Sequence, residues 1–221
     1  MIFGIAFIVF GLLLAAYGIA SGGWAMLLLW PAGSFLVVGT AYLGIGARAL
    51  GKRADGRLAL PALIFHLPYL LPTWAIWHLA RLFSREPCCN EVFPGLWLGR
   101  RAFARELPAG VDLVIDLTAE FAAPRHLTVG RSYHSLPTLD TRAPEERLLL
   151  QAVEKAASWP GVIYIHCAQG HGRSALLAAA VLVRRGLAGD GREAEAMLRR
   201  VRPGVRLTRR QRAVLDRLTA R

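Results

Sequence analysis

Residues 2–20 are apolar without a polar interruption of either helical or strand period, and after Ser21-Gly22-Gly23 a second such run covers residues 24–46. A segment that is apolar on every side belongs in a bilayer or a deep core. At ~1.5 Å per residue the first run reaches roughly 28 Å, close to the thickness of a hydrocarbon layer. Tyr17, Trp24 and Tyr42 lie near the ends of the runs, at the level where amphipathic rings settle. Pro31 falls in the first half of the second run, which neighbouring helices can accommodate in a span. The pattern therefore predicts two membrane helices, about 2–20 and 24–46. A cleaved leader would call for a basic start and a shorter apolar stretch.

The third apolar segment, 58–82, has a different texture. It carries Pro61, Pro68, Pro72, His66, His78 and Arg81, with Trp74 and Trp77 among them. Ahead of it stand Arg48, Lys52, Arg53 and Arg57 against Asp55, and Arg81, Arg85, Arg100 and Arg101 follow. Arginine and lysine mark the cytoplasmic side of a membrane. With both flanks on that side, 58–82 is expected to be interfacial or re-entrant, a broken element in which His66, Tyr69, Trp74, Trp77 and His78 sit at headgroup depth. A third span is the alternative, and it would place the rest of the chain outside. Residues 1–86 thus read as a membrane region.

From residue 87 the pattern changes to short apolar strands alternating with amphipathic helices. Strands are expected at 96–98, 111–117, 132–136 and 162–165. Helices are expected from Pro144 to about 158, over 173–185 ending at Gly186, over 193–201, and over 209–220. Pro144 followed by Glu145 and Glu146 suits a first helical turn, and Thr208 with Gln211 forms a capping box. Alternation of this kind predicts an α/β fold, a mostly parallel central sheet flanked by helices, over residues 87–221.

Composition sharpens the division. The chain of 221 residues holds 27 Lys+Arg against 15 Asp+Glu, yet residues 1–47 contain none of either. A 54% hydrophobic content excludes a disordered or collagen-like chain. Three cysteines, two of them adjacent as Cys88-Cys89, cannot build a disulfide framework; the adjacent pair is read as incidental thiols rather than acylation sites. From residue 184 onward twelve arginines face four acids with no interleaved aromatics. That face suits anionic lipid headgroups better than nucleic acid.

The segment that carries chemistry is Val162-Ile163-Tyr164-Ile165-His166-Cys167-Ala168-Gln169-Gly170-His171-Gly172-Arg173-Ser174. A buried strand ends at Cys167, a loop with two glycines follows, and a helix begins at Arg173-Ser174. Such a loop turns successive backbone N–H groups inward as an anion-binding nest, backed by the positive end of a helix dipole. A cysteine there is favoured as thiolate. Arg173, six residues on, can hold two phosphate oxygens.

This His-Cys-x-x-Gly-x-x-Arg-Ser form of the Cys-x5-Arg signature resembles the cysteine-dependent protein tyrosine phosphatases, specifically their dual-specificity branch. The resemblance extends over most of residues 91–220, taking in Val92-Phe93-Pro94-Gly95-Leu96-Trp97-Leu98-Gly99, Val114-Ile115-Asp116-Leu117-Thr118 and Val201-Arg202-Pro203-Gly204-Val205-Arg206-Leu207-Thr208 with Gln211. It implies Cys167 as nucleophile, Arg173 as phosphate clamp, and Ala168, Gln169, Gly170, His171, Gly172 and Arg173 as the substrate-binding loop. It also implies Asp140, in Leu136-Pro137-Thr138-Leu139-Asp140-Thr141, as general acid, with Ser174 assisting the departing thiolate. His166 is expected to orient the loop, and Asp112 and Asp116, inside a strand, are poorer acids. No metal or cofactor is implied.

Two rivals stand beside this reading. One is a non-catalytic phosphate-binding module, which would have no need of Asp140; the other is a sulfurtransferase resembling rhodaneses, which lacks reason for the Arg-Ser helix start. The loop is without the multiple lysines of relatives that act on polyphosphorylated inositides. The expected substrate is therefore a phospholipid monoester such as phosphatidylglycerophosphate, or alternatively a phosphoprotein. The whole reads as an integral protein of a bacterial inner membrane, its catalytic domain on the cytoplasmic side.

Overall fold

A computed structural model describes residues 2–220. The chain divides into two compact units, one of residues up to 53 with 57–84, the other of residues 54–56 with those from 85 onward. The second unit begins two residues earlier than the sequence boundary, so Arg85 and Glu86 belong to it.

In the first unit, α1 (Ile2–Ser21) is followed by a 3-10 segment Gly23–Leu28, then α2 (Leu29–Thr40), which widens into a π-turn at Ala41–Ile45. Gly4, Gly11 and Gly18 are buried on α1. A Cβ at these positions would lie 3.0 Å from the Gly39 carbonyl oxygen, 2.9 Å from that of Ala32 and 2.8 Å from that of Ala25. The stripe lets α1 and the following helical stretch approach backbone to backbone, as small residues do between membrane helices.

The segment 58–82 differs from expectation. It forms one continuous helix, α3 (Leu60–Phe83), so it does not enter and return. Pro61 sits harmlessly in the first turn, and the helix passes through Pro68 and Pro72 without a break. His66, Tyr69 and Trp77 are buried rather than presented at a surface. His66 meets Ser34 Oγ at 3.3 Å and the Ala49 carbonyl at 3.0 Å, and Trp30 Nε1 donates to the Phe65 carbonyl at 3.0 Å. Those partners hold α3 to α2 and to the 3-10 turn Ala47–Leu50 that follows it. Ile2–Ser21, Gly23–Ile45 and Leu60–Phe83 are each long and apolar enough to cross a membrane.

The second unit contains β1 (Cys89–Phe93), β2 (Leu96–Arg100), β3 (Val111–Thr118), α4 (Arg125–Thr128), β4 (Ser132–Thr138), α5 (Glu146–Ala157), β5 (Val162–Cys167), α6 (Arg173–Arg184), α7 (Gly191–Val201) and α8 (Arg209–Thr219). The sheet order is β1-β2-β5-β3-β4, with β1 antiparallel to β2 and the other pairs parallel. Pro137 is tolerated because β4 is an edge strand. Arg100 pairs with Cys167 and Asp116 with His166, so β2, β3 and β5 end together. In open α/β sheets the carboxyl ends of parallel strands are where ligands bind.

Along β5, Ile163, Ile165 and Cys167 join the main core with α5, α6, α7 and α8, while Tyr164 packs on the opposite face. Helix α6 is buried from Arg173 through Leu182, which fixes the loop between β5 and α6 at both ends.

Candidate active site

The five residues between Cys167 and Arg173 wrap around the cysteine sulfur. Gly170 N donates to Cys167 Sγ at 3.2 Å, and Ser174 Oγ, on the first turn of α6, donates to it at the same distance. Gly170 has φ 79°, and a Cβ there would lie 2.4 Å from the Gly99 carbonyl carbon. Only glycine allows both that conformation and that approach to β2. Two donors aimed at one sulfur suit a thiolate, which accepts and cannot donate. The structure brings Cys167, Gly170 and Ser174 together in one arrangement.

Arg173 is 1% exposed. Its Nη1 and Nη2 donate to Glu120 Oε2 and Oε1 at 2.9 and 2.7 Å, and Nη1 also donates to the Thr138 carbonyl at 2.8 Å. Burial opposes the charge on each partner, but their mutual attraction prevails. Arg173 is held well above the usual guanidinium range, with Asp140 adding to the effect of Glu120, and Glu120 is held below the usual carboxylate range. Arg173 Nε is buried with no hydrogen-bond partner among the described residues. Glu120 thus occupies the Nη1–Nη2 edge of the guanidinium and leaves Nε on the other.

Asp140 Oδ1 lies 3.4 Å from Arg173 Nη2, with its side chain 69% exposed. Its loop contains Thr141 at φ 62°, the one positive φ outside glycine among the described residues. Thr208 Oγ1 donates to the Thr141 carbonyl at 3.3 Å and Gln211 Nε2 to the Arg142 carbonyl at 2.9 Å. The capping box at the start of α8 therefore also anchors the loop that carries Asp140.

His166 is buried on the face opposite Cys167, stacked on Tyr164 at 5.3 Å, with Nδ1 3.5 Å from the Cys167 carbonyl. Asp116 accepts from Thr118 N, Thr118 Oγ1 and the Tyr133 hydroxyl, and Asp112 accepts from Trp159 Nε1. Both are occupied as structural acceptors. Cys88 and Cys89 are half-buried, their sulfurs directed at the Arg100 and Glu106 carbonyls.

Sequence reading passed over Glu120. The signal available was its place two residues after the apolar strand β3, at the same end of the sheet as Cys167. His171 Nε2 donates to Glu86 Oε2 at 2.6 Å, a second acid the motif gave no reason to single out.

No protein-family model matches the chain and no curated protein matches it. Solved structures do. PTPMT1 in complex with PI(5)P is similar at TM-score 0.54 and 21% identity, over 60% of this chain and 95% of that one. Tk-PTP in its active form is similar at TM-score 0.54 and 29% identity, over 61% of this chain and 98% of that one. A mouse putative dual specificity phosphatase complexed with zinc tungstate gives TM-score 0.51 and 23% identity, over 62% and 89%. Residues 85–220 carry the fold of the cysteine-dependent, dual-specificity phosphatases, preceded by an apolar helical region.

Proposed function

We propose that this chain is a membrane-bound phosphomonoesterase that works through a phosphocysteine, acting on a phospholipid monoester such as phosphatidylglycerophosphate. The observation that carries the chemistry is Cys167 Sγ held by Gly170 N and Ser174 Oγ, beside a guanidinium that keeps one edge for an oxyanion. A substrate phosphate enters the loop and takes the Nε–Nη2 edge of Arg173, displacing Asp140 from it. The thiolate attacks phosphorus; as the S–P bond forms, the P–O ester bond breaks and Asp140 gives its proton to the departing oxygen. Asp140, now a carboxylate, takes a proton from a water that attacks the phosphocysteine. The S–P bond breaks, inorganic phosphate leaves, and the Ser174 hydroxyl stabilises the returning thiolate. Glu120 keeps Arg173 oriented throughout.

A lipid substrate is supported by the three apolar helices joined to this domain, and by the arginines exposed at the end of the chain. Cytoplasmic placement is supported by the basic residues on both sides of α3 and by one contact within the catalytic unit. Ala123 N donates to the Gly56 carbonyl at 2.8 Å, so residues 54–56, ahead of α3, fold with the same unit as the chain after it. A helix that crossed a bilayer would leave its two flanks on opposite faces. We therefore read α3 as lying at the interface while α1 and the stretch after it span.

The test is phosphate release by full-length enzyme in detergent against panels of phospholipid monoesters and phosphopeptides. Preference for a lipid is expected. Preference for phosphotyrosine peptides over every lipid would transfer the assignment to a protein phosphatase.

A further inference from the structure

The phosphate-binding loop does not set its own shape. Three consecutive carbonyls on it are held from outside: Gln169 O accepts from Arg202 Nη2 at 3.0 Å, Gly170 O from Arg202 Nε at 3.1 Å, and His171 O from Arg206 N at 3.0 Å. In a planar trans peptide the C=O and the next N–H point opposite ways. Tying these carbonyls outward commits the N–H groups of Gly170, His171 and Gly172 to the inner side, where Gly170 N already reaches Cys167 Sγ.

Arg202, though 1% exposed, is itself fastened to the chain that follows α3. It donates to the Pro87 carbonyl at 3.0 Å and Asn90 Oδ1 at 2.9 Å, and pairs with Glu86 Oε2 at 2.8 Å. Glu86 accepts besides from His171 Nε2 at 2.6 Å and Gly204 N at 3.3 Å. One carboxylate thus touches the loop side chain, the arginine that grips the loop carbonyls, and the turn that supports that arginine. Glu86 is the first acidic residue after α3, which ends at Phe83.

We propose that Glu86 and Arg202 form a strut that sets the geometry of the phosphate loop, so that Glu86 is a positioning residue for phosphate binding at Cys167. The segment at the start of the catalytic unit is then part of the active-site scaffold, and a shift of residues 85–87 reaches the loop through two side chains. This rests on the reading of the loop as a phosphate-transfer site.

Full-length wild type, Glu86→Ala, Glu86→Gln and Arg202→Lys in detergent are compared for aryl phosphate hydrolysis, for orthovanadate binding by calorimetry, and for helix content by circular dichroism. Glu86→Ala is expected to weaken vanadate binding and lower kcat/KM together by roughly 10–100-fold, the scale of an ångström-sized misplacement, with helix content unchanged. Glu86→Gln, which keeps an oxygen for Arg202 and His171, should recover most of both. Should Glu86→Ala fail to fold, Arg202→Lys, which keeps the charge but loses the fork, gives the same reading. Wild-type vanadate affinity in folded Glu86→Ala or Arg202→Lys overturns the strut. If wild type binds vanadate but hydrolyses no ester, the phosphatase reading fails while the vanadate comparison still decides the strut.

Discussion

Glu120 takes both terminal nitrogens of Arg173, at 2.7 and 2.9 Å, with both side chains buried. Neither residue is tied to the other by sequence, since 53 positions separate them. The pair occupies the Nη1–Nη2 edge of Arg173 and opposes rotation of the guanidinium. In the proposed reaction, an arginine so held is organised for an oxyanion before the oxyanion arrives, which is how fixed charge contributes most to catalysis.

The pair also sets a pH dependence. Glu120 is ionised more readily in the fold than in the unfolded chain because the attraction of Arg173 outweighs burial. Its contribution is therefore present above the ordinary carboxylate range and lost as pH falls through and below it. Glu120→Gln, which strands a buried charge, is expected to cost about 3–5 kcal/mol near neutral pH. That difference should shrink on acidification. Unfolding of full-length protein in detergent at several pH values measures it, and a difference that stays constant into acid would remove the linkage.

Asp140→Asn should lower turnover by roughly 10²–10⁴-fold on esters with poor leaving groups and far less on aryl phosphates, whose leaving oxygen needs little protonation. The comparison of kcat/KM on an alkyl and an aryl phosphate checks this. Equal losses on both would leave Asp140 as an anchor of its loop, where it already stands 3.4 Å from Arg173, and not as the acid.

What the sequence disclosed and what it withheld follow a physical line. Local signals were readable: the capping box of Thr208 and Gln211, the apolar strand into Cys167, the glycines of the loop. Helix α7 starts at Gly191, two residues before the sequence placed it, because Asp190 accepts from Arg192 N and Glu193 N as its cap. Strand β1 was not anticipated, since Cys89-Asn90-Glu91-Val92-Phe93 is half polar and gains its conformation from pairing with β2. Glu120, Arg202 and Glu86 were missed as site residues for a common reason. Their roles come from partners far away in sequence, 53 positions for Glu120 and Arg173, 85 for Glu86 and His171. Helix α3 was expected to break because three prolines suggest it; Pro61 falls in the first turn, and the helix runs on through Pro68 and Pro72.

Membrane topology gives a third prediction. A reporter fused after Arg221 and a thiol label introduced at Asp55 should report the same, cytoplasmic side. Opposite sides would mean that α3 spans the bilayer and that the contact of Gly56 with Ala123 does not persist in the membrane.

A covalent phosphocysteine can be trapped. Full-length enzyme mixed with substrate and quenched in acid within milliseconds, then digested and analysed by mass spectrometry, should carry one phosphoryl group on the peptide containing Cys167, accumulating further in Asp140→Asn with an aryl phosphate. Phosphate release in the absence of any phosphoryl group on Cys167, or undiminished release by Cys167→Ser, would contradict the account.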